Sequence, residues 1–177
     1  ERHGVTHFQC TPSMAGMLLL DPEAGPAFGR LRHMLVGGEA LPAALARQLR
    51  GVTSSLHDVY GPTETTIWST TWPVGDEEPV PIGRPLTNQQ VYVLDDRLQL
   101  VPTGRAGELW IGGDGVTAGY FRRPELTDEK FREDPFRGEP GAKIYATGDL
   151  ARWRPDGVLE YLGRKDLQVK VRGYRIE

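Results

Sequence analysis

Cys10 is the only cysteine in the sequence, so no internal disulfide is available and the chain reads as the product of a reducing compartment. Long apolar runs are missing too. Nothing approaches the roughly 20 residues that a membrane-spanning helix needs, so a soluble, cytoplasmic protein with no membrane partner is expected. There is no surplus of positive charge: Lys and Arg number 21 against 24 Asp and Glu, a net charge of −3. Such a balance offers no field for a phosphate backbone and argues against nucleic acid as a partner. The four histidines, His3, His7, His33 and His57, lack metal-ligand spacing and a partnering cysteine, which argues against a histidine-held metal. Internal repeats, low-complexity segments and a Ser-His-Asp or Cys-His constellation are absent as well.

What is present is ordinary globular material: 177 residues, 38% hydrophobic and 25% charged, enough for one domain-sized core. Glycine (22) and proline (14) are spread along the chain, which predicts many turns between short elements. Glu1 opens without Met or a signal sequence and Glu177 stops inside an alternating pattern, so the chain reads as a piece of something longer. Val5 to Cys10 predicts a strand, Thr11-Pro12 a break, and SMAGMLLL a short buried helix. The pattern recurs with a strand at His33 to Val36, a turn at Gly37-Gly38 and a helix from Pro42 to Arg50 with Gly51 just past its end. A further strand is expected at Leu56 to Tyr60. This alternation predicts an α/β layer with a mostly parallel sheet, whose ligands sit beyond the carboxyl ends of the strands. After about Trp72 the chain turns β-rich, with strands at Gln90 to Leu94, Gly107 to Gly112, Ile144 to Thr147 and Val158 to Leu162. One helix, Pro124 to Phe131, interrupts them, and a closing strand runs from Gln168 to Val171.

The most informative stretch is Asp58-Val59-Tyr60-Gly61-Pro62-Thr63-Glu64-Thr65-Thr66, where a strand runs out into a loop. Gly61-Pro62 sets a sharp turn, and the oxygens of Thr63 and Glu64 that follow suit Mg²⁺ and phosphate; the same residues also fit a helix N-cap at Thr63. Three further segments carry weight. They are Gly107-Glu108-Leu109-Trp110-Ile111-Gly112-Gly113 continuing to Ala118-Gly119-Tyr120, then Tyr145-Ala146-Thr147-Gly148-Asp149-Leu150, and then Gly163 through Gly173. Taken singly, Asp149 is also a turn residue, Arg164 and Lys165 a solvated charge pair, and Lys170 and Arg172 a solvent-facing strand edge.

These four segments, in this order, resemble the core motifs of the adenylate-forming enzymes. Gly38-Glu39-Ala40-Leu41, Arg123-Pro124-Glu125-Leu126-Thr127 and Arg175-Ile176-Glu177 resemble the branch formed by amino-acid adenylation domains of nonribosomal peptide synthetases. The fold implied is a fragment of the large N-terminal subdomain: an α/β part over 1–72, a β-rich barrel-like part over 73–165, and over 166–177 the hinge and first strand of the small C-terminal domain. The activity implied is ATP-dependent activation of an amino acid as its aminoacyl-adenylate, then transfer to the phosphopantetheine arm of a carrier domain. Peptidyl carrier and condensation domains are the implied partners.

Residue by residue, the resemblance implies that Tyr60 stacks on adenine, with Asp58 standing where the family usually has Asn to meet its exocyclic amine, and that Gly61 belongs to the same nucleotide-binding stretch. It implies that Thr63 meets phosphate, Glu64 ligates Mg²⁺ and Asp149 takes the ribose hydroxyls. Arg164 would hold ribose or phosphate, Tyr161 would close the nucleotide pocket, and Asp166 would be the hinge about which the small domain turns. Six positions that read the substrate in this family fall at Gln9, Leu35, Gly37, Val59, Ile67 and Trp68. Their combination is similar to pockets selecting glycine, and a bulky Trp68 leaves little room beyond Cα; Trp68 as plain core, and alanine, another small residue or cysteine as substrate, stay open. An acyl- or aryl-CoA synthetase shares the phosphate and ribose motifs and is the alternative enzyme class. The Gly-rich phosphate loop and the catalytic Lys of the family are not among these residues, so the 177 residues alone are expected to bind nucleotide at most, without turnover.

Overall fold

The computed structural model describes residues 3–166, 169–171 and 174–176; the expectations placed on Leu167, Gln168, Arg172, Gly173 and Glu177, and on the side chain of Lys170, lie outside the described residues. The chain forms two compact units. One is built mainly from residues up to Tyr60 and from Thr71–Gly83, the other from Gly61–Thr70 and the described residues from Arg84 to Asp166.

The first unit is the strand and helix alternation expected from sequence. Its elements are β1 (His7–Cys10), α1 (Pro12–Leu18), α2 (Ala24–Phe28), β2 (His33–Gly37), α3 (Ala43–Val52) and β3 (Leu56–Tyr60), followed after a loop by β4 (Thr70–Pro73). β1, β2, β3 and β4 lie side by side in that order, and β1, β2 and β3 are parallel, with Gln9 opposite Leu35 and Gly37 opposite Val59. The start of α1 is set by Thr11, whose hydroxyl accepts from the Met14 amide (3.2 Å), and by Pro12 at the first turn. α3 buries Ala46 and Leu49 against the sheet. Contrary to the expectation, Gly51 sits inside α3; the helix ends at Thr53, whose amide and hydroxyl both donate to the Leu49 carbonyl (2.9 Å each). The core gathers Met34, Val36, Leu49 and Leu56 with Phe28 and Leu31. Those six side chains come from two strands, two helices and the turn after α2, so the layer is closed by apolar burial rather than by any local staple.

The second unit holds β5 (Arg84–Pro85), β6 (Gln89–Leu94), β7 (Gly107–Gly113), α4 (Pro124–Lys130), β8 (Phe131–Glu133), β9 (Lys143–Trp153) and β10 (Leu159–Arg164). Its sheet runs β10-β9-β7-β6 with β8 also on β9, and these neighbours are paired antiparallel. Alternation puts Leu94, Trp110, Ile144 and Ala146 into one cluster beneath Tyr92 and Leu98. β9 is the longest strand, at 11 residues, and extends well past the expected Thr147. α4 buries none of its residues and stops one residue earlier than expected, because Phe131 turns extended to open β8. A hairpin of β11 (Val169–Val171) and β12 (Tyr174–Ile176) follows. Among the described residues no helix is long and apolar enough to cross a membrane.

Candidate functional site

The loop that follows β3 is wound more tightly than its sequence suggests. Thr63–Thr65 form one 3-10 turn with Pro62 at its N-cap, so Thr63 lies inside the turn and the helix N-cap alternative does not hold. Glu64 and Thr65 are buried within it. Thr66 and Ile67 then adopt left-handed backbone, φ 60° and 72°, and the Trp68 amide reaches back two residues to the Thr66 carbonyl at 2.9 Å. That is a γ-turn centred on a β-branched residue, a conformation costing on the order of 1–3 kcal/mol. Gly61 makes the winding feasible: a Cβ there would lie 2.5 Å from the Ile67 carbonyl oxygen and 2.7 Å from the Ser69 amide. Tertiary bonds hold the strained loop, with the Thr65 and Ser69 hydroxyls 2.7 Å apart in the interior and Thr66 Oγ1 donating to the Gly115 carbonyl at 2.7 Å.

Glu64 is gripped twice by the segment that follows β7. Its carbonyl accepts from the Thr117 amide at 2.9 Å, and its Oε1 accepts from the Tyr120 phenol at 2.6 Å. The Tyr120 hydroxyl also lies 3.5 Å from that of Tyr145, which is on β9. Four residues further along β9 stands Asp149, also buried. Glu64 and Asp149 therefore belong to one compact unit, linked through two phenols and a single strand.

Asp149 occupies an irregularity. Glu108 of β7 pairs with Leu150 and Trp110 with Ala146, so Thr147, Gly148 and Asp149 together face the single residue Leu109. Gly148 takes left-handed backbone (φ 71°), and the Thr147 hydroxyl supplies the missing rung by donating to the Leu109 carbonyl (2.7 Å) and accepting from the Asp149 amide (3.0 Å). Across the strand, Asp149 is directly opposite Arg164. Arg164 Nη1 donates to Asp149 Oδ1 (2.9 Å) and to the Thr147 carbonyl (2.8 Å), while Nε and Nη2 fork onto Asp166 at 2.9 and 2.5 Å. Burial alone works against the guanidinium charge, but the bonds to Asp166 and Asp149 outweigh it and raise its pKa. Tyr161, half-buried on β10, has its phenol pushed up by burial and then by the Asp149 carboxylate. Asp149, Tyr161, Arg164 and Asp166 are thus brought together, and the fork of Arg164 is engaged by two carboxylates rather than left as a solvated pair with Lys165. Lys165 instead meets Asp96 (2.9 Å) and Glu108 (3.3 Å).

In the first unit the carboxyl ends of the parallel strands carry the other expected residues. Gln9 is exposed beside half-buried Leu35, Gly37 and Val59 are buried neighbours, and half-buried Tyr60 ends β3. Asp58 is 5% exposed, and burial pushes its carboxyl up to about 7. Ile67 is 56% exposed and Trp68 half-buried in the second unit. Two features went unread in the sequence. Tyr120 lies 56 residues from Glu64 with no periodicity to connect them, although Gly119-Tyr120 stood out as a motif. His7, His33 and His57, at the amino ends of β1, β2 and β3, form a ladder with ring centroids 5.1 and 5.9 Å apart, and the Ser55 hydroxyl bonds both His33 Nδ1 (2.9 Å) and His57 Nε2 (3.2 Å). Spacings of 26 and 24 residues hide that ladder, because only parallel pairing makes them neighbours. Among the described residues no group of three or more His, Cys, Asp and Glu has the geometry to hold a metal ion.

The model of the AMP-binding enzyme family matches residues 1–121. The dimodular nonribosomal peptide synthase of Bacillus subtilis (strain 168) is 49% identical over 182 residues, taking in 100% of this chain and 7% of the relative. Phosphinothricin tripeptide synthetase PhsB of Streptomyces viridochromogenes is 50% identical over 177 residues, 98% of this chain and 15% of its own. Among solved structures, holo-PA1221, a protein with adenylation and PCP domains bound to a vinylsulfonamide inhibitor, superposes with a TM-score of 0.89 at 35% identity, covering 99% of this chain and 31% of that one. Holo-AB3403, a four-domain nonribosomal peptide synthetase bound to AMP and glycine, gives 0.84 at 46% identity over 98% of this chain and 13% of that one. This chain therefore spans between 7% and 15% of the length of these two curated relatives.

Proposed function

We propose, since this chain belongs to the AMP-binding enzyme family, that it is part of an amino-acid adenylation domain in a nonribosomal peptide synthetase. The reaction is attack of the amino acid's carboxylate oxygen on the α-phosphorus of ATP. The new bond joins that oxygen to the α-phosphorus, and the bond to the bridging oxygen breaks as pyrophosphate leaves with its electron pair. No side-chain nucleophile is required, and the protein's contribution is positioning and charge neutralisation. The observation that carries this reading is the oxygen-rich turn at Glu64 and the acidic bulge at Asp149 within one unit, joined through Tyr120, Tyr145 and β9.

Within this reading Tyr60 stacks on adenine, Asp58 meets its amine, and Gly61 lets the loop close toward Thr63, which contacts phosphate. Asp149 accepts from the ribose hydroxyls. Its second role is electrostatic, since it shares Arg164 with Asp166, and Tyr161 borders the same group. A buried carboxylate on a loop of hydroxyls suits Mg²⁺, which takes one or two carboxylates together with water and substrate phosphates, and Glu64 is the residue that would hold it. When bound, Mg²⁺ would neutralise charge on the departing pyrophosphate. Gln9, Leu35, Gly37, Val59, Ile67 and Trp68 read the amino acid, and glycine or another small residue is favoured. The 46% identity to a synthetase bound to glycine and the bulk of Trp68 support that choice. The phosphopantetheine arm of a carrier domain then receives the acyl group, with Asp166 as the hinge of the change.

Pyrophosphate exchange by the complete protein tests the reading. Exchange with glycine above alanine, cysteine and other small residues is expected, and exchange with an aryl or fatty acid alone would overturn it. The isolated 177 residues are predicted to form no adenylate.

A further inference from the structure

Glu64 has a partner that the reading above gives no role. Tyr120 donates its phenol proton to Glu64 Oε1 across 2.6 Å, the length of a charge-assisted bond. The placement of Tyr120 is over-determined. Its amide donates to Thr127 Oγ1 at 2.9 Å, and Thr127 Oγ1 in turn donates to the Arg123 carbonyl at 2.9 Å, which ties Tyr120 to the start of α4. Its ring stands edge-on to Phe131, 5.6 Å between centroids, and Phe131 meets Tyr145 at 5.0 Å. Gly119, at φ 128°, allows the approach, because a Cβ there would come within 2.3 Å of Thr127 Cγ2. Three residues earlier in the same segment the Thr117 amide holds the Glu64 carbonyl. Backbone and side chain of Glu64 are therefore fixed by one stretch of chain, against the strain stored at Thr66 and Ile67.

We propose that Tyr120 is a positioning residue for Glu64, its phenol fixing the direction in which that carboxylate is presented to a divalent cation; this rests on Glu64 being the cation ligand. A glutamate otherwise spreads over many rotamers, and a donor on one oxygen selects among them before the metal arrives. The phenol takes no part in the phosphoryl chemistry, so its loss acts on metal affinity and leaves amino-acid recognition alone.

The test uses Mn²⁺ binding to the complete protein with ATP, read by electron paramagnetic resonance, beside the Mg²⁺ dependence of pyrophosphate exchange. Tyr120→Phe keeps the ring against Phe131 and removes only the hydroxyl. A 10–100-fold weaker Mn²⁺ affinity is expected, with the Mg²⁺ midpoint shifted in the same direction and the amino-acid KM unchanged. Thr127→Val, which frees the Tyr120 amide, gives a smaller loss in the same direction and serves if the Phe variant does not fold. In a Glu64→Gln background, Tyr120→Phe adds nothing further. Unchanged Mn²⁺ affinity in both Tyr120→Phe and Thr127→Val, with Glu64→Gln abolishing the site, overturns the role of Tyr120 and leaves the nucleotide reading standing. Unchanged affinity in Glu64→Gln overturns both.

Discussion

Asp58 faces a cost that its neighbours do not relieve. Its carboxyl is pushed up to about 7 by burial alone, so the folded state holds the proton more tightly than the unfolded chain, whose Asp titrates near 3.8. Stability from this group is therefore present at low pH and is lost as pH rises toward and through 7. Asp58→Asn, which has no proton to lose, is expected to raise stability by about 1–3 kcal/mol at pH 8 and by far less at pH 5. Thermal unfolding at the two pH values checks this, and an equal gain at both would refute it. Asp58, Glu64 and Asp149 stood out in the sequence as candidates because each sits in a motif with turn residues beside it, and all three are buried. What each touches was not legible. The Tyr120 bond to Glu64 and the Arg164 fork onto Asp166 depend on how segments tens of residues apart, or two residues apart around a bend, are folded onto one another.

Among the elements, β1, β2 and β3 were readable because short β-prone runs closed by Gly or Pro carry their own boundaries. α2, β4 and β8 were not, being three to five residues long and set by tertiary partners rather than by period. The reach of α3 through Gly51 shows the same override, a glycine accepted inside a helix whose opposite face is buried. At the amino ends of the parallel strands, the histidine ladder makes a prediction of its own. Burial first, and then the neighbouring His33, lower the His57 pKa. The unfolded chain then binds the proton more readily, so this group's contribution is complete above about 6.5 and is lost as pH falls below it. His57→Gln should blunt the drop in melting temperature between pH 7 and pH 5, and an unaltered drop would show that the ladder plays no part. Asp58 tilts the profile the opposite way over part of this range, so the comparison has to be made variant against parent.

At the scale of the whole molecule, the α/β character and its change to antiparallel sheet follow the sequence closely, because both depend on patterning spread over many residues. The winding of the loop from Gly61 to Thr70 does not, since its left-handed residues are a threonine and an isoleucine, which no propensity would place there. The excess of two residues on β9 opposite Leu109 has a separate implication for what changes the chain can absorb. Gly148→Ala brings a methyl group within 2.8 Å of Arg164 Nη2 and 3.0 Å of Asp166 Oδ2, which are bonded to each other, and with the backbone strain it is expected to cost about 1–3 kcal/mol. Deleting Gly148 instead leaves two residues where three now face Leu109, which makes Thr147 and Asp149 neighbours, so the bond from the Asp149 amide to the Thr147 hydroxyl is lost and Asp149 is displaced from its place across from Arg164. Urea titration of the two variants should separate them, with the deletion unfolding at the lower urea concentration. In this stretch of strand the count of residues is held more strictly than their kind, so natural variation here is expected as replacement and not as insertion or loss.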